Sequence, residues 1–455
     1  MPTRISDWRP EDPAFWNQSG RRVATRNLWI SIPALLLAFS VWMVWSVVVV
    51  KLKAIGFQFT EPQEFWLTAL PALTGATLRI FYSFTVPIFG GRNWTVLSTS
   101  SLLIPAIGIG VAVQNPATPY TVFVVLALLC GFGGANFASS MSNINYFYPK
   151  AQKGTALGLN AGLGNLGVSV MQFLVPLVIG AAVFGSLGGA PQQAVEKGVT
   201  RQIWLQNAGF IWVPMIVVVV VAAWFGMNNL DAARASFAEQ AVVFKRKHNW
   251  IMCWLYLGTF GSFIGYSAAF PKLIKITFID VDPLQFAFLG PLVGAMARPI
   301  GGWVSDRLGG ARVTFWNFLA MIGAVGGVLY FLNERNFAGF FAMFLVLFIT
   351  TGVGNASTFK MIPVIFLNER LRTAQGRERE AEEQAKRDAA KESSAILGFS
   401  SALGAYGGFI IPIAFGKAIQ SGSPQTALWE FMAFYATCLA LTWWFYFRRN
   451  AEAPC

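Results

Sequence analysis

Twelve apolar runs follow one another along 455 residues, each long enough to cross a hydrocarbon core, and no other feature limits the fold so severely. They fall near 28–50, 65–88, 94–113, 120–147, 154–184, 208–227, 250–271, 284–304, 313–332, 338–366, 394–419 and 425–446. A core of about 30 Å takes about 20 apolar residues to cross as a helix. No water satisfies peptide groups inside it, so each run must close its backbone hydrogen bonds within itself. With 55% hydrophobic residues, 12% charged residues and a mean hydropathy of +0.53, the whole chain belongs to the lipid phase rather than being a soluble body on one anchor. The pattern predicts an all-α membrane protein of twelve transmembrane helices, multi-pass in the lipid bilayer.

The charges report topology. Residues 1–27 are polar, carry Arg4, Arg9, Arg21, Arg22 and Arg26, and show no small-residue cleavage site before the first run, so no cleaved leader is expected. Placing both termini in the cytoplasm puts most of the lysines and arginines on that side, as the positive-inside rule requires. The net charge of +13 therefore reflects orientation. Its basic residues are scattered over short connections, which argues against a nucleic-acid partner. Cys130, Cys253 and Cys438 lie in spans, Cys455 is the last residue, and His248 is the only histidine. With no CxxC pair, neither a disulfide frame nor a metal or other cofactor site is readable. An intramembrane enzyme would need a nucleophile with a base, or a metal cluster, and the pattern supplies neither.

An internal repeat organises the chain. At one constant offset Leu70, Leu73, Gly75, Ala76, Arg79, Gly90 and Gly91 fall on Leu289, Leu292, Gly294, Ala295, Arg298, Gly309 and Gly310; Gly133, Asn136 and Phe147 fall on Gly352, Asn355 and Phe366. Further on, Gly158, Gly164 and Gly167 match Gly398, Gly404 and Gly407 at a larger offset. The charged, alanine-rich insertion 368–392 accounts for the difference and reads as a cytoplasmic loop, partly helical and solvated. The expected organisation is an N-terminal six-helix half (1–227), a cytoplasmic linker (228–249) and a C-terminal six-helix half (250–455), related by a pseudo-twofold axis.

Two members of the repeat carry the functional argument. Arg79 and Arg298 sit inside apolar runs, while all 21 aspartates and glutamates lie outside the runs or at their ends. A charge at mid-membrane costs about 2.5–3.5 kcal/mol even on lenient scales, so an intramembrane arginine is a site hypothesis by default. The planar guanidinium presents a rigid fork of donors that fits a flat oxyanion, which a lysine cannot do. The plain alternative is an arginine paired with an acid or reaching to the interface. Lys360, in the tenth run, has two readings, as a side chain extended to the interface or as added positive field at the inner gate. Asn136 and Asn355 suggest a paired interhelical role.

Two parallel six-span halves with both termini inside form the layout of the major facilitator superfamily. The turns Gly90-Gly91-Arg92 and Asp306-Arg307-Leu308-Gly309-Gly310 resemble its short cytoplasmic motif. Within it, GTALGLNAGLGNLGVSVMQ (Gly154 to Gln172) and AILGFSSALGAYGGFIIPIAFG (Ala395 to Gly416) resemble the paired glycine-rich signatures of NarK-type nitrate/nitrite porters. The contexts GATLRIFYSF, GAMARPIGG, GGANFASSMSNINYFYPK and WLYLGTFGSFIGYSAAF are similar to that family too, so the resemblance covers nearly the whole chain. It implies a site in which Arg79 and Arg298 clamp the anion, the Asn165 amide donates to it, and Phe137, Tyr256 and Phe260 frame it. Ala161 stands where the family often has glycine. The glycines Gly158, Gly162, Gly164, Gly167, Gly404, Gly407 and Gly408 are expected to let helices rock, with plain close packing as the alternative.

The resemblance implies nitrate and nitrite as substrates, alternating access, a monomer, and a place in the cell inner membrane. Without a mid-membrane acid or histidine, the residues favour nitrate/nitrite antiport free of proton coupling; a proton-coupled nitrate symporter is the alternative, and a membrane sensor or enzyme a remote one.

Overall fold

The computed structural model describes residues 4–231, 244–374 and 379–455. The middle of the expected linker and residues 375–378 of the insertion lie outside the described residues. Twelve helical stretches are seen among them: α1 (Pro13–Ile55), α2 (Glu61–Tyr82), α3 (Gly91–Ala112), α4 (Tyr120–Phe147), α5 (Lys150–Ile179), α6 (Asn207–Gly226), α7 (247–277), α8 (Leu289–Leu308), α9 (Gly310–Asn333), α10 (Phe337–Ala374), α11 (379–420) and α12 (Gln425–Thr442). By length and composition eight stretches are apolar enough to cross a membrane. The two arginines stand on α2 and α8.

Local chemistry sets the helix ends. The Thr60 hydroxyl accepts from the Gln63 amide and the Gln63 side chain accepts from the Thr60 amide at 2.9 Å, a capping box with Pro62 in the first turn that starts α2. Gly90 and Gly309, matched by the repeat, both take positive φ (84° and 90°) with nearly equal ψ (145° and 141°) and turn the chain into α3 and α9. The repeat is therefore a repeat of backbone conformation as well as of residue type, at positions where an L side chain would be strained.

Burial separates interior from lipid-facing helices. In α1 89% of the most apolar window is buried, against 28% in α6, whose Val218 and Phe225 stand outward. Apolar residues exposed in this number on a spanning helix face acyl chains. The chain also contains two-stranded pairings that the sequence pattern did not predict. Arg4–Ile5 lies parallel to Asn229–Leu230 within the expected linker region, and an antiparallel hairpin pairs Gln192–Glu196 with Val199–Ile203 between α5 and α6. Its tip is Lys197-Gly198, both with positive φ.

Contacts group the chain into two compact units. The first holds Met1–Ala235 with Ser267–Leu292 and Gly408–Gln420; the second holds Ser236–Tyr266, Val293–Gly407 and Ser421–Cys455. The first thus takes in segments of α7, α8 and α11 from the later half of the sequence.

In the insertion 368–392 the described residues are helical, and Glu382, Glu383 and Lys386 are exposed. They extend α10 to Ala374 and begin α11 at Arg379, and Glu392 is buried between Arg246, at 3.0 Å, and Arg370, with Arg246 also 3.5 Å from Glu369. The acids and bases of the insertion close on an arginine of the linker rather than on one another alone. Burial pushes the Glu392 carboxyl up, but hydrogen bonds from Arg370 and Arg246 outweigh it and hold the group below its ordinary value. Glu392 precedes the apolar part of α11 that begins at Ala395. Because its pKa in the folded chain lies below that of the unfolded chain, its stabilisation is complete above the ordinary carboxylate range and is lost as pH falls through the lowered value. Glu392→Gln should lower stability at neutral pH by about 1 kcal/mol, the charges being partly screened by water, and should narrow its gap to wild type in acid. Melting curves in detergent at two pH values would measure this.

Candidate substrate site

Arg79 is fully buried on α2. Its Nε and Nη2 donate to the Gly134 carbonyl of α4 at 3.1 and 2.7 Å, and its guanidinium lies over the rings of Phe137 at 4.9 Å and Trp42 at 5.5 Å. Glycines make this possible. A Cβ on Gly75 would come within 2.9–3.2 Å of Trp42, Gly131 and Gly134, so α2 and α4 touch backbone to backbone where the carbonyl is used. The Trp42 indole donates to the Pro71 carbonyl at 2.9 Å and is fixed beside the arginine. A carbonyl dipole and two ring faces stabilise the cation without cancelling its charge.

The second unit holds a different arrangement. Arg298 is half-buried on α8 and its guanidinium stands 5.6 Å from the centre of the Phe359 ring. Its Nη1 is buried and has no hydrogen-bond partner among the described residues, nor does any described carboxylate come within ion-pair distance. Phe359 packs at 5.0 Å on Tyr256, and Tyr256 stacks on Phe260 with ring centres 5.3 Å apart. Tyr256 immediately precedes, and Phe260 lies within, the π turn Leu257–Gly261 that interrupts α7. The Tyr256 hydroxyl donates to Asn355 Oδ1 at 2.7 Å, which gives Asn355 its use. Its repeat mate Asn136 instead donates to the Ser98 carbonyl at 3.4 Å, so the two asparagines share a position but not a partner.

On α5 the glycines divide by face. Gly164 and Gly167 press on α1, where a Cβ would collide with Leu35 and with the Leu36 carbonyl, whereas Gly158 and Gly162 have nothing within 4 Å. A Cβ on Gly404 would come within 2.7 Å of the Tyr256 ring, and one on Gly407 would collide with the Gly261 backbone. Gly408 is buried in the other unit. Four of the seven glycines thus stand at close helix contacts. Asn165 is buried beside the open face with its Oδ1 unpartnered among the described residues, and Ala161, one turn away, is buried.

The structure thus joins Arg79 to Phe137, and Arg298 through Phe359 to Tyr256 and Phe260. Trp42 and Phe359 escaped sequence reading because the repeat copies neither aromatic. Lys360 is exposed and forms an ion pair with Asp306, in the last turn of α8. The carboxylates at the span ends are less peripheral than their positions suggested: Glu64, in the first turn of α2, is fully buried and pairs with Lys272. His248 bonds the Tyr446 hydroxyl at 2.9 Å, and all four cysteines are free.

Helix content, a conformational repeat and two intramembrane arginines, one buried and one half-buried, define a class of membrane carrier, and comparison with known proteins agrees. The model of the Major Facilitator Superfamily matches residues 30–376. The chain is 52% identical to the nitrate/nitrite transporter NarU of Escherichia coli (strain K12), with 98% of this chain and 96% of the relative aligned. It is 54% identical to the NarU of Salmonella typhimurium (98% and 97% covered) and 43% identical to the probable nitrate/nitrite antiporter NarK2 of Thermus thermophilus (100% and 98% covered). The chain belongs to the major facilitator superfamily, in its NarK-type nitrate/nitrite porter branch. These relatives are named as transporters, not enzymes.

The division of glycines can be tested directly. Gly167→Ala should cost about 1–3 kcal/mol by overpacking and lower the melting temperature, while Gly158→Ala should leave it unchanged. Equal melting of both variants would mean that contact with α1 is not what Gly167 supplies.

Proposed function

We propose that the protein exchanges nitrate and nitrite across the cell inner membrane by alternating access, without proton coupling, as a monomer with both termini in the cytoplasm. The observation that carries the reading is the Arg298 guanidinium, whose buried Nη1 has no described hydrogen-bond partner. A buried donor left unpaired is costly, and a charged one more so. A flat monoanion that accepts from it would remove that cost. Arg79 supplies the matching cation on α2, with Phe137 at its face. Asn165, Tyr256, Phe260 and Ala161 complete the set that engages the anion. Nitrate and nitrite are the species named for the relatives, and both have the planar oxygens that a guanidinium fork fits.

Exchange follows from charge. Two cations in a low-dielectric pathway oppose closure of the carrier around them, and a bound monoanion offsets part of that opposition. The moving bodies in this reading are the two sequence halves, 1–227 and 250–455. The buried Glu64 is the one observation that favours proton-coupled symport, since a buried acid can carry a proton. Lys272 lies against it, however, so its charge is already balanced by a cation.

In proteoliposomes, nitrate uptake should require internal nitrite or nitrate and respond little to an imposed pH gradient; strong uptake into anion-free vesicles driven by protons alone would sink the exchange reading. Arg79→Lys and Arg298→Lys keep charge and lose the fork. Each should weaken nitrate affinity about tenfold or more, the equivalent of one charge-assisted hydrogen bond. Near-normal affinity in both, by binding and counterflow, would remove the arginines from the site.

A further inference from the structure

Within the first compact unit, the segment Ser267–Leu292 of the later half is fastened to the earlier half by charge. Lys272 of α7 is 3% exposed and pairs with the fully buried Glu64 and, at 2.7 Å, with Glu61; Lys53 pairs with Glu61 and comes within 3.9 Å of Glu64. The hairpin between α5 and α6 adds a second fastening. Its Glu196 bridges Lys275 of α7 at 3.1 Å and Lys51 of α1 at 2.9 Å. A third contact lies towards the middle of α7, where the Gln172 amide of α5 donates to the Ser267 carbonyl at 2.8 Å. All three act on one stretch of one helix.

As permanent glue these pairs would be a poor choice. Burying two charges costs several kcal/mol of hydration each, and well-packed apolar side chains commonly hold a site as well or better. The balance changes if the contact must open. Separating an apolar seal exposes surface to water at about 25 cal/mol per Å², whereas separated charges recover hydration. An ion pair is therefore specific when closed and inexpensive to part.

We propose that Glu61, Glu64 and Lys272, seconded by Glu196 and Lys275, form a reversible ionic gate on the membrane side where α1 ends and α2 begins. It is closed in this structure and parts once in each transport cycle. The proposal rests on alternating access but not on the identity of the anion.

The test uses a reporter cysteine, Gly162→Cys on the open face of α5, in the full-length chain with its native cysteines replaced by alanine. A membrane-impermeant maleimide is applied from each side in vesicles of both orientations. Lys272→Gln should raise labelling from the gate side about three- to tenfold, as expected when one ion pair is removed from a two-state equilibrium. The exchanged pair Glu64→Lys with Lys272→Glu should bring it back towards wild type. Wild-type labelling in a folded, monodisperse Lys272→Gln protein would overturn the gate. Should that variant fail to fold, Glu196→Gln decides, raised gate-side labelling supporting the gate and unchanged labelling overturning it. Labelling is read without transport, so a gate that responds in a protein that moves no nitrate would refute the substrate and leave the gate standing.

Discussion

A guanidinium held away from water must be stabilised by something, and what stabilises it decides what it can bind. For Arg79 the described partners include the Gly134 carbonyl and the faces of Trp42 and Phe137. Each lowers the cost of burying the cation, and none of these three carries an opposite charge. The carbonyl is within reach only because α2 and α4 meet at glycines. Helix packing, the position of the aromatic residues and the electrostatics of the pathway are thus one problem with one solution.

The two arginines occupy matched positions in the repeat but different surroundings. Arg79 is held against backbone; Arg298 keeps a buried donor without a partner among the described residues and leans on a ring that also supports Tyr256. Asn355 adds order on the second side, because it accepts from the Tyr256 hydroxyl.

Much of this was legible in the sequence. Spans follow from apolar length, and the repeat named both arginines, the paired turn glycines and the paired asparagines before any coordinate. Chemistry that depends on a partner distant in sequence was not legible. Glu64 looked like the polar edge of a span because its residue type and position say nothing about Lys272. The burial of Glu392 is not legible because the charges of the insertion can pair along one helix, whereas Glu392 reaches back to Arg246. The hairpin that carries Glu196 was missed because its strands are short and only partly buried, so no apolar alternation marks them. Family resemblance supplied Asn165, Tyr256 and Phe260, which no spacing argument singles out.

The π turn at Leu257–Gly261 has an effect well beyond its five residues. A wider turn adds a residue to the winding, and each residue of an α-helix advances the azimuth by about 100°. Every side chain beyond Gly261 therefore points where a uniform helix would not send it. The compass bearing of Lys272, and with it the meeting of cation and buried acid at the membrane's edge, is dialled in beside the aromatic pair. Shortening this turn by one residue would leave both ends of α7 chemically intact while aiming them at different neighbours.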